Sequence, residues 1–422
     1  MTLVLTNATY LDSETLGIRT VHLAVEPGPF GGVAPVDILP PDAAILDCTG
    51  KLVMRAFACG HHHVYSTLAR GMPAAARAPG NFREMLEYVW WRLDKRLDKD
   101  MTQASALAAA LYCAKCGVTF VIDHHAAPFA VEGSLETIAR AFDTVGIGHL
   151  LCCELSDRDG DGPKEAGLAE TDAYLSSGRK GHVGLHASFT VDDDLLRRAV
   201  ALAAKHGTGL HVHVAEDIAD QAQCLEVHGT RVVRRFQAFG ALDLPHSIFT
   251  HCVHLDEAER QLVGSSPAWV AQNTESNQNN GVGLTGYEWA GPRVMLGTDG
   301  LHSDMLRSAK AAYLAGQALE GIDPAGMYGR FRAVHGLAAA MGAPGGGANN
   351  LVVLDYDSPT DVTPANFPSH FIYGLEARHV HTVIAQGRVI VADRRLVSAD
   401  EADILAYARE QALRLWARLE GC

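Results

Sequence analysis

The pattern of hydrophobic positions changes twice along the chain and divides it into three parts. Residues 1 to about 54 hold short apolar runs separated by Gly and Pro clusters, which is typical of strands joined by turns. From about residue 101, short apolar runs alternate with stretches of helical spacing. After about residue 350 the β-like runs return, and an amphipathic helical pattern follows them from about 401 to 419.

Eight apolar runs in the first and middle parts are predicted to be buried strands separated by helical sequence. They cover residues 52–59, 118–123, 148–154, 182–186, 208–214, 247–251, 268–271 and 293–297. Strands that alternate with helices pair in parallel, and eight of them predict an α/β fold, a closed (β/α)8 TIM-like barrel. The two β-rich ends are each too small for a core. We therefore predict that residues 1–54 and 350–422 form one β-sandwich-like domain beside a barrel of residues 55–349.

Composition and charge leave this fold prediction unchanged but restrict the partners. The chain has 422 residues, of which 48% are hydrophobic and 20% charged, as in an ordinary globular protein. A net charge of -14 argues against nucleic acid or an anionic membrane surface as a partner. The nine cysteines lack disulfide-type spacing, and the N-terminus lacks the features of a signal peptide. We expect a cytoplasmic protein with reduced thiols, and a homodimer.

Histidine is the unusual residue, with 21 in the chain, several of them where apolar runs end. In a (β/α)8 barrel the carboxyl ends of the strands form the active site. Side chains alternate along a strand, so His61 and His63 share one face. Three imidazoles and a carboxylate would complete a divalent metal site with room for water or substrate. The candidates at these strand ends are His61, His63, His186, His211, His213, Glu216, His251 and Asp299.

The motifs around these residues resemble a known family. They are His61-His62-His63, His213-Val214-Ala215-Glu216, His251-Cys252-Val253-His254 and Gly297-Thr298-Asp299-Gly300. Together they resemble the amidohydrolase superfamily over nearly the whole chain. The similarity is closest to its mononuclear-metal aminohydrolases, which include guanine, cytosine and S-adenosylhomocysteine deaminases and the triazine hydrolases. Within that branch the chain looks most like the SsnA-type aminohydrolases.

The resemblance implies a role for most of these side chains. It makes His61, His63, His213 and Asp299 the ligands of one divalent metal ion, Zn²⁺ by default with Fe²⁺ or Mn²⁺ as alternatives. His211 shares the face of His213 and is the competing ligand. In the catalytic roles that the resemblance implies, Glu216 protonates a ring nitrogen, His251 orients the attacking water, and Asp299 accepts its proton and passes it to the leaving group. Binuclear relatives carry a Lys at the fourth strand end, where this chain has His186, so we expect a single metal.

Six further residues are predicted to contact substrate. His186 would hydrogen-bond a substrate heteroatom, and Tyr65 and Trp90 lie in the segment that lines the pocket in this family. Arg158 could pair with an anionic substrate group, and a solvated loop position is the equally open alternative. Gln272 and His302 stand where the family usually has other residues, and we expect both beside the pocket. These two departures argue against a standard purine or pyrimidine substrate.

The predicted activity is the hydrolytic deamination of a small nitrogen heterocycle. The same site could instead expel sulfide or halide, or open a cyclic amide. A barrel that binds metal without catalysis is a third possibility, but it predicts the loss of Glu216 or His251, and the chain has both. The glycine pattern at 281–286 matches a nicotinamide-cofactor fingerprint, but neither a strand directly before it nor a helical pattern after it is evident.

Overall fold

The computed structural model describes residues 2–420, and within that range the chain forms seventeen strands. In chain order they are β1 (Leu3–Leu11), β2 (Ile18–Val25), β3 (Val33–Val36), β4 (Ala44–Asp47), β5 (Leu52–Arg55), β6 (Phe57–His62), β7 (Val118–His125), β8 (Gly148–Cys153), β9 (Val183–Ala187), β10 (Leu210–Val214), β11 (Ile248–His251), β12 (Trp269–Gln272), β13 (Val294–Leu296), β14 (Leu351–Leu354), β15 (Val380–Ala385), β16 (Arg388–Ala392) and β17 (Arg395–Leu396).

Fourteen α-helices connect or follow these strands within residues 2–420. They are α1 (Phe82–Met85), α2 (Trp91–Asp94), α3 (Lys99–Lys115), α4 (Ser134–Val145), α5 (Asp161–Ser176), α6 (Asp193–His206), α7 (Ile218–His228), α8 (Val232–Ala238), α9 (Glu257–Ser265), α10 (Thr274–Asn280), α11 (Met305–Leu319), α12 (Pro324–Ala340), α13 (Phe367–Tyr373) and α14 (Glu401–Glu420). None of the helices in the described range is long and apolar enough to cross a lipid bilayer.

Strands β6 to β13 form the barrel, and all of them pair in parallel. They make one sheet of three strands, β6–β8, and one of five, β9–β13. Isolated bridges join the two sheets at both seams: Leu151 with Gly181 and Leu155 with Leu185 between β8 and β9, and His62 with Asp299 beside β13. Neighbours in the chain are therefore neighbours in space around the ring, which confirms the predicted (β/α)8 fold.

The run at residues 52–59, predicted as one barrel strand, is two strands in two different sheets. β5 pairs with β14 in the outer sheet, whereas β6 pairs with β7 in the barrel. The change occurs at Ala56, whose N–H donates to the Asn350 carbonyl, while the next N–H, of Phe57, donates to Gly117. Arg55, the one charge in the run, donates to the Gly346 carbonyl at 2.8 Å. Both sheets bury this segment, so its apolar pattern carried no sign of the change.

Strands from both ends of the chain meet in one branched nine-stranded sheet beside the barrel. The order is β17-β16-β15-β14-β5-β1-β2-β3, with β4 on β1, and the joining pair is β5 with β14. Its core includes the buried side chains of Leu5, Leu23, Val53 and Ile384. The division into residues 1–54 with 350–422 and residues 55–349 stays a prediction.

The C-terminal helix α14 supports the segment that leaves the first barrel strand. It packs along the alanine-rich helix α3, and the cluster between them includes Ala104, Ala108 and Leu415. Trp416 donates its indole N–H to the Leu68 carbonyl at 2.9 Å. The buried ring of Tyr65 belongs to the same cluster. Helix α14 therefore holds in place the turn that follows the histidines of β6.

Candidate active site

The ends of three barrel strands, β6, β10 and β13, bring the predicted metal ligands together in the interior. The Nε2 atoms of His63 and His213 lie 3.2 Å apart. An Asp299 carboxylate oxygen lies 3.2 Å from His63 Nε2 and 3.8 Å from His61 Nε2. All four residues are buried. The structure therefore places His61, His63, His213 and Asp299 in one cluster at the carboxyl end of the barrel.

The charge state and hydrogen bonding of this cluster fit a divalent cation. Burial, reinforced by the neighbouring imidazoles, holds the pKa of His61 and of His213 well below the ordinary value, so both rings are neutral. His61 Nε2 is buried and has no hydrogen-bond partner among the residues described. Ligand atoms of His61, His63 and Asp299 lie within 4.8 Å of one another. Neutral imidazole nitrogens beside a carboxylate are the donors that Zn²⁺ prefers.

The opposite ring nitrogens of two of these histidines are held by backbone carbonyls. His63 Nδ1 donates to the His124 carbonyl at 2.7 Å, and His213 Nδ1 donates to the His186 carbonyl at 2.8 Å. A proton on Nδ1 leaves a lone pair on Nε2, the atom that faces the cluster. Such bonds orient a metal-binding ring and fix its tautomer.

His211, the competing candidate, lies behind His61 rather than beside Asp299. Its Nε2 is 2.8 Å from His61 Nδ1, and its Nδ1 is 3.6 Å from the Cys152 thiol. Both ring nitrogens of His211 are thus engaged away from the carboxylate. His213, by contrast, has its Nε2 beside His63.

Glu216, His251 and Asp299 form a second group that overlaps the first. The His251 Nε2 atom lies 3.4 Å from a Glu216 oxygen and 3.7 Å from an Asp299 oxygen. His251 Nδ1 pairs with the Asn277 Oδ1 atom at 2.7 Å, and the Asn280 amide donates to Glu216 at 3.3 Å. Burial, together with the Asp299 carboxylate, raises the pKa of Glu216 well above its ordinary value. Burial lowers the pKa of His251. The group therefore pairs a protonated carboxyl with a neutral imidazole.

Several residues at these strand ends have a backbone conformation that is uncommon outside glycine. The φ angles of Ala215, His251, Cys252 and Asp299 are 47°, 71°, 54° and 53°. Non-glycine residues in this region cost on the order of 1 kcal/mol each and concentrate at functional sites. The turn at Ala215 is fixed by its N–H bond to the Asp220 carboxylate, at 2.9 Å. It leads the chain directly into Glu216.

A cleft of about 630 Å³ opens beside the cluster. Three predicted substrate contacts, Tyr65, Trp90 and His186, line it as expected from the sequence. His186 Nδ1 is 2.7 Å from the Thr190 hydroxyl, and burial lowers the pKa of this ring to about 4. A π-helical turn, Leu86–Trp90, carries part of the wall, and such turns are frequent at functional sites. Side chains that line the cleft but were not predicted include Phe82, Leu86, Trp91, Glu154, Ser276, Asn279, Asn280 and Leu301.

Arg158 is not among the cleft-lining residues, which corrects its predicted role as an anion contact. Its guanidinium contacts three carboxylates: Asp94 at 2.5 Å, Asp159 at 3.2 Å and Glu154 at 3.4 Å. It also lies 5.2 Å from the ring centre of Trp91. The guanidinium is therefore held among three acids behind the cleft wall rather than in the cleft itself.

Gln272 and His302 also lie outside the lining of the cleft, so their predicted contacts with substrate are not supported. Gln272 accepts a hydrogen bond from Arg330 at 3.1 Å and donates one to Thr274 at 3.0 Å. His302 pairs with Glu275 at 2.7 Å. The argument that these two residues disfavour a purine or pyrimidine therefore loses its basis.

Two groups of residues at the site escaped the sequence reasoning. The Asn-rich stretch after β12 forms α10 and supplies Asn277 and Asn280 to the group of Glu216, His251 and Asp299. Glu154 was counted as the end of an apolar strand. Burial alone would raise the pKa of the Glu154 carboxyl, yet His186, His124 and Arg158 hold that pKa below its ordinary value. A polar residue at a barrel strand end was the available signal in both cases.

Comparison with known proteins agrees with this geometry. The profile described as the Amidohydrolase family matches residues 52–390. A 5-methylthioadenosine/S-adenosylhomocysteine deaminase from Pelotomaculum thermopropionicum is 30% identical over 394 residues, covering 88% of this chain and 87% of the relative.

Two solved structures share the fold. An adenosine deaminase from Xanthomonas campestris with bound zinc has a TM-score of 0.84 at 20% identity, covering 98% of both chains. An atrazine chlorohydrolase from Arthrobacter aurescens TC1 complexed with zinc has a TM-score of 0.79 at 17% identity, covering 97% of this chain and 100% of the other. The resemblance inferred from the motifs is confirmed. Because the family profile spans well over half of the sequence, the chain belongs to the amidohydrolase family and is a hydrolase.

Proposed function

We propose that this protein is a metal-dependent aminohydrolase that removes ammonia from a small nitrogen heterocycle. The observation that carries the proposal is the contact of Glu216, His251 and Asp299 at the edge of a neutral imidazole cluster. Three groups able to exchange protons on the wall of one cleft support this reaction. The deaminase names of a 30% identical relative and of a structural neighbour support the reaction class.

The residues that would hold the metal are His61, His63, His213 and Asp299, and Zn²⁺ is the proposed ion. Each contributes a ring nitrogen or a carboxylate oxygen to the same buried cluster. When bound, a divalent ion supplies the Lewis acidity that lowers the pKa of water from 15.7 to about 7.

The protein groups then divide the proton transfers of the hydrolysis between them. Glu216, whose raised pKa keeps it protonated, would give its proton to a ring nitrogen as the oxygen of water bonds to the adjacent carbon. His251 Nε2, unprotonated when Nδ1 donates to Asn277, would accept a hydrogen bond from water and orient it. Asp299 would take the proton of the water and deliver it to the departing nitrogen. The carbon–nitrogen bond then breaks as the new hydroxyl group returns its proton to Glu216, and the products are ammonia and the oxo-heterocycle.

A substrate panel tests the reaction class. The metal-loaded protein would be incubated with adenosine, 5′-methylthioadenosine, guanine, cytosine and a chlorotriazine, with assays for ammonia and for chloride. Ammonia release with one of the amino compounds is the expected result. Chloride release alone would contradict deamination and identify the enzyme as one that expels halide. Ring opening without ammonia would contradict deamination and identify it as one that opens a cyclic amide.

The His211→Asn variant should show whether His211 binds the metal directly or only holds the His61 ring in position. If His211 only holds the His61 ring, the variant should still bind one metal ion at saturation, with an affinity about 10- to 100-fold lower. Equilibrium dialysis against buffered zinc measures both quantities. Loss of all metal binding would instead identify His211 as a ligand and contradict the assignment of His213.

The expected partner is the small heterocyclic substrate itself. The predicted homodimer and the predicted cytoplasmic location stay predictions. Sedimentation velocity of the purified protein would decide the first, and fractionation of cells the second.

A further inference from the structure

A buried carboxylate that the proposed reaction does not use lines the cleft. Glu154 follows the end of β8, and its N–H donates to the His125 carbonyl at 2.7 Å. Its side chain is only 4% exposed. Ligand atoms of Glu154, His186 and His213 lie within 4.8 Å of one another. Glu154 therefore lies close enough to the catalytic cluster to contact the same small molecule.

The contacts of Glu154 with its basic neighbours are long. His124 Nδ1 lies 3.5 Å from one carboxylate oxygen, and Arg158 Nη2 lies 3.4 Å from the other. Charge-assisted hydrogen bonds are normally about 2.7–2.9 Å long. The Arg158 Nη2 atom has a shorter bond, of 2.5 Å, to Asp94. Glu154 thus has acceptor capacity that its neighbours in the described structure do not fill.

The buried charges around Glu154 do not balance. Asp94, Glu154 and Asp159 are three carboxylates, whereas Arg158 and Lys95 are two cations. Lys95 contacts Asp159 at 2.6 Å, and Arg158 is closest to Asp94. The two shortest contacts are therefore made by Asp159 and Asp94, the two acids that do not line the cleft. Burial raises the pKa of Asp94 to about 7, whereas the pKa of Glu154 is held below its ordinary value, and Glu154 is the member of the cluster that lines the cleft.

The rest of the cleft wall suits a flat cation. Among the described residues that line it there is no Lys or Arg, and Phe82, Trp90 and Trp91 supply aromatic surface. Aromatic faces attract cations, most strongly where water is excluded. The Trp91 indole N–H is buried and lacks a hydrogen-bond partner in the described structure, so a polar donor is also available. An anionic substituent would meet the carboxylate of Glu154, and no Lys or Arg among the described lining residues would face it.

We propose that Glu154 selects the substrate, by accepting hydrogen bonds from a cationic or N–H-rich edge of the heterocycle, such as an amidine, a guanidine or an amino group. This rests on the proposed function, since the edge belongs to the ring that the metal-dependent site hydrolyses. The contacted edge is distinct from the ring nitrogen assigned to Glu216. Glu154 is thus a specificity-determining contact, and heterocycles with a carboxylate or phosphate substituent at this position are excluded.

Binding of two matched probes tests the proposal without any turnover. Benzamidine is a planar cation with N–H donors, and benzamide is its neutral counterpart of nearly the same shape. Quenching of the fluorescence of Trp90 and Trp91 reports their binding to the zinc-loaded protein. We expect the wild type to prefer benzamidine, and Glu154→Gln to weaken benzamidine binding about tenfold or more while changing benzamide binding less than about threefold.

The matched control is Asp159→Asn. It removes the same unit of charge from the same buried cluster, but Asp159 does not line the cleft. Its benzamidine affinity should stay within about threefold of the wild type. If Glu154→Gln does not fold, as judged by circular dichroism, Glu154→Asp replaces it. That shorter carboxylate should weaken benzamidine binding selectively, and unchanged affinities for both probes would refute the proposal.

Four other results would also overturn it. They are a wild type without preference for benzamidine, an equal loss for both probes in Glu154→Gln, a loss of benzamidine binding in Asp159→Asn as large as that in Glu154→Gln, and the loss of the single zinc ion in Glu154→Gln. The last result would make Glu154 a metal ligand. If no compound of the panel released ammonia but Glu154→Gln weakened only benzamidine binding, the proposed reaction would be contradicted and the role of Glu154 in binding would be supported. The failure of the proposed reaction can therefore be distinguished from the failure of the Glu154 proposal.

Discussion

Replacing Glu216 with Gln is expected to lower kcat about 10³-fold, because the variant loses the proton that the carboxyl would transfer. Gln has nearly the same size and can keep the contact with Asn280, which lies 3.3 Å from Glu216. The metal content should therefore stay at one ion per chain. Steady-state ammonia release and elemental analysis of the same preparation measure the two quantities.

The control for this variant is Glu226→Gln on the following helix, α7. Glu226 is exposed and lies outside the cleft lining, so its kcat should equal that of the wild type. If Glu216→Gln kept full activity, the proton would have to come from another group. If it lost its metal, Glu216 would have to be counted among the ligands.

Replacing His213 with Ala is expected to reduce bound zinc to a trace and activity to background. The substitution removes one of three imidazoles, and His211 cannot take its place because its Nε2 is engaged with His61 Nδ1 at 2.8 Å. Zinc should then no longer stabilise the fold, since a ligand raises the melting temperature only when the native state binds it. Melting curves with and without zinc, together with elemental analysis, give both results.

His228→Ala provides the comparison for this second variant. His228 is the last residue of α7 and contacts Asp193 at 3.5 Å, outside the cleft. It should retain one zinc ion and normal activity. A His213→Ala protein that kept its zinc would require a ligand set built on His211.

The structure brings together the residues that the sequence proposed for the centre of the site, and it does so for a physical reason. In a ring of parallel strands all carboxyl ends meet on one face, so histidines at strand ends converge whatever the loops do. Alternation along a strand then places His61 and His63 on one face. Alternation could not decide between His211 and His213 as the metal ligand, because both lie on the same face of β10. It needed the family resemblance, and in the structure the Nε2 atom of His213 lies 3.2 Å from that of His63.

The periphery of the site could not be predicted, because it depends on partners that are distant in the chain. Arg158 is followed by a polar stretch that resembles an exposed loop, yet Asp94, 64 residues earlier, holds it in the interior. His302 and Gln272 have partners at Glu275 and Arg330 that no local pattern reveals. The change of sheet at Ala56 was hidden because the run is apolar on both sides of it.

That change of sheet has a consequence for the biogenesis of the enzyme. Strand β5, which leads into the histidines of β6, is secured by β14 through pairs such as Arg55 with Leu351. A ribosome delivers the N-terminal residues first, at about 5–20 residues per second. The anchoring partner of the first two metal ligands therefore emerges only after almost three hundred further residues, a lag of roughly 15–60 seconds at that speed. We expect zinc to be acquired after translation is nearly complete, and ribosome-bound chains that stop before β14 should not retain it.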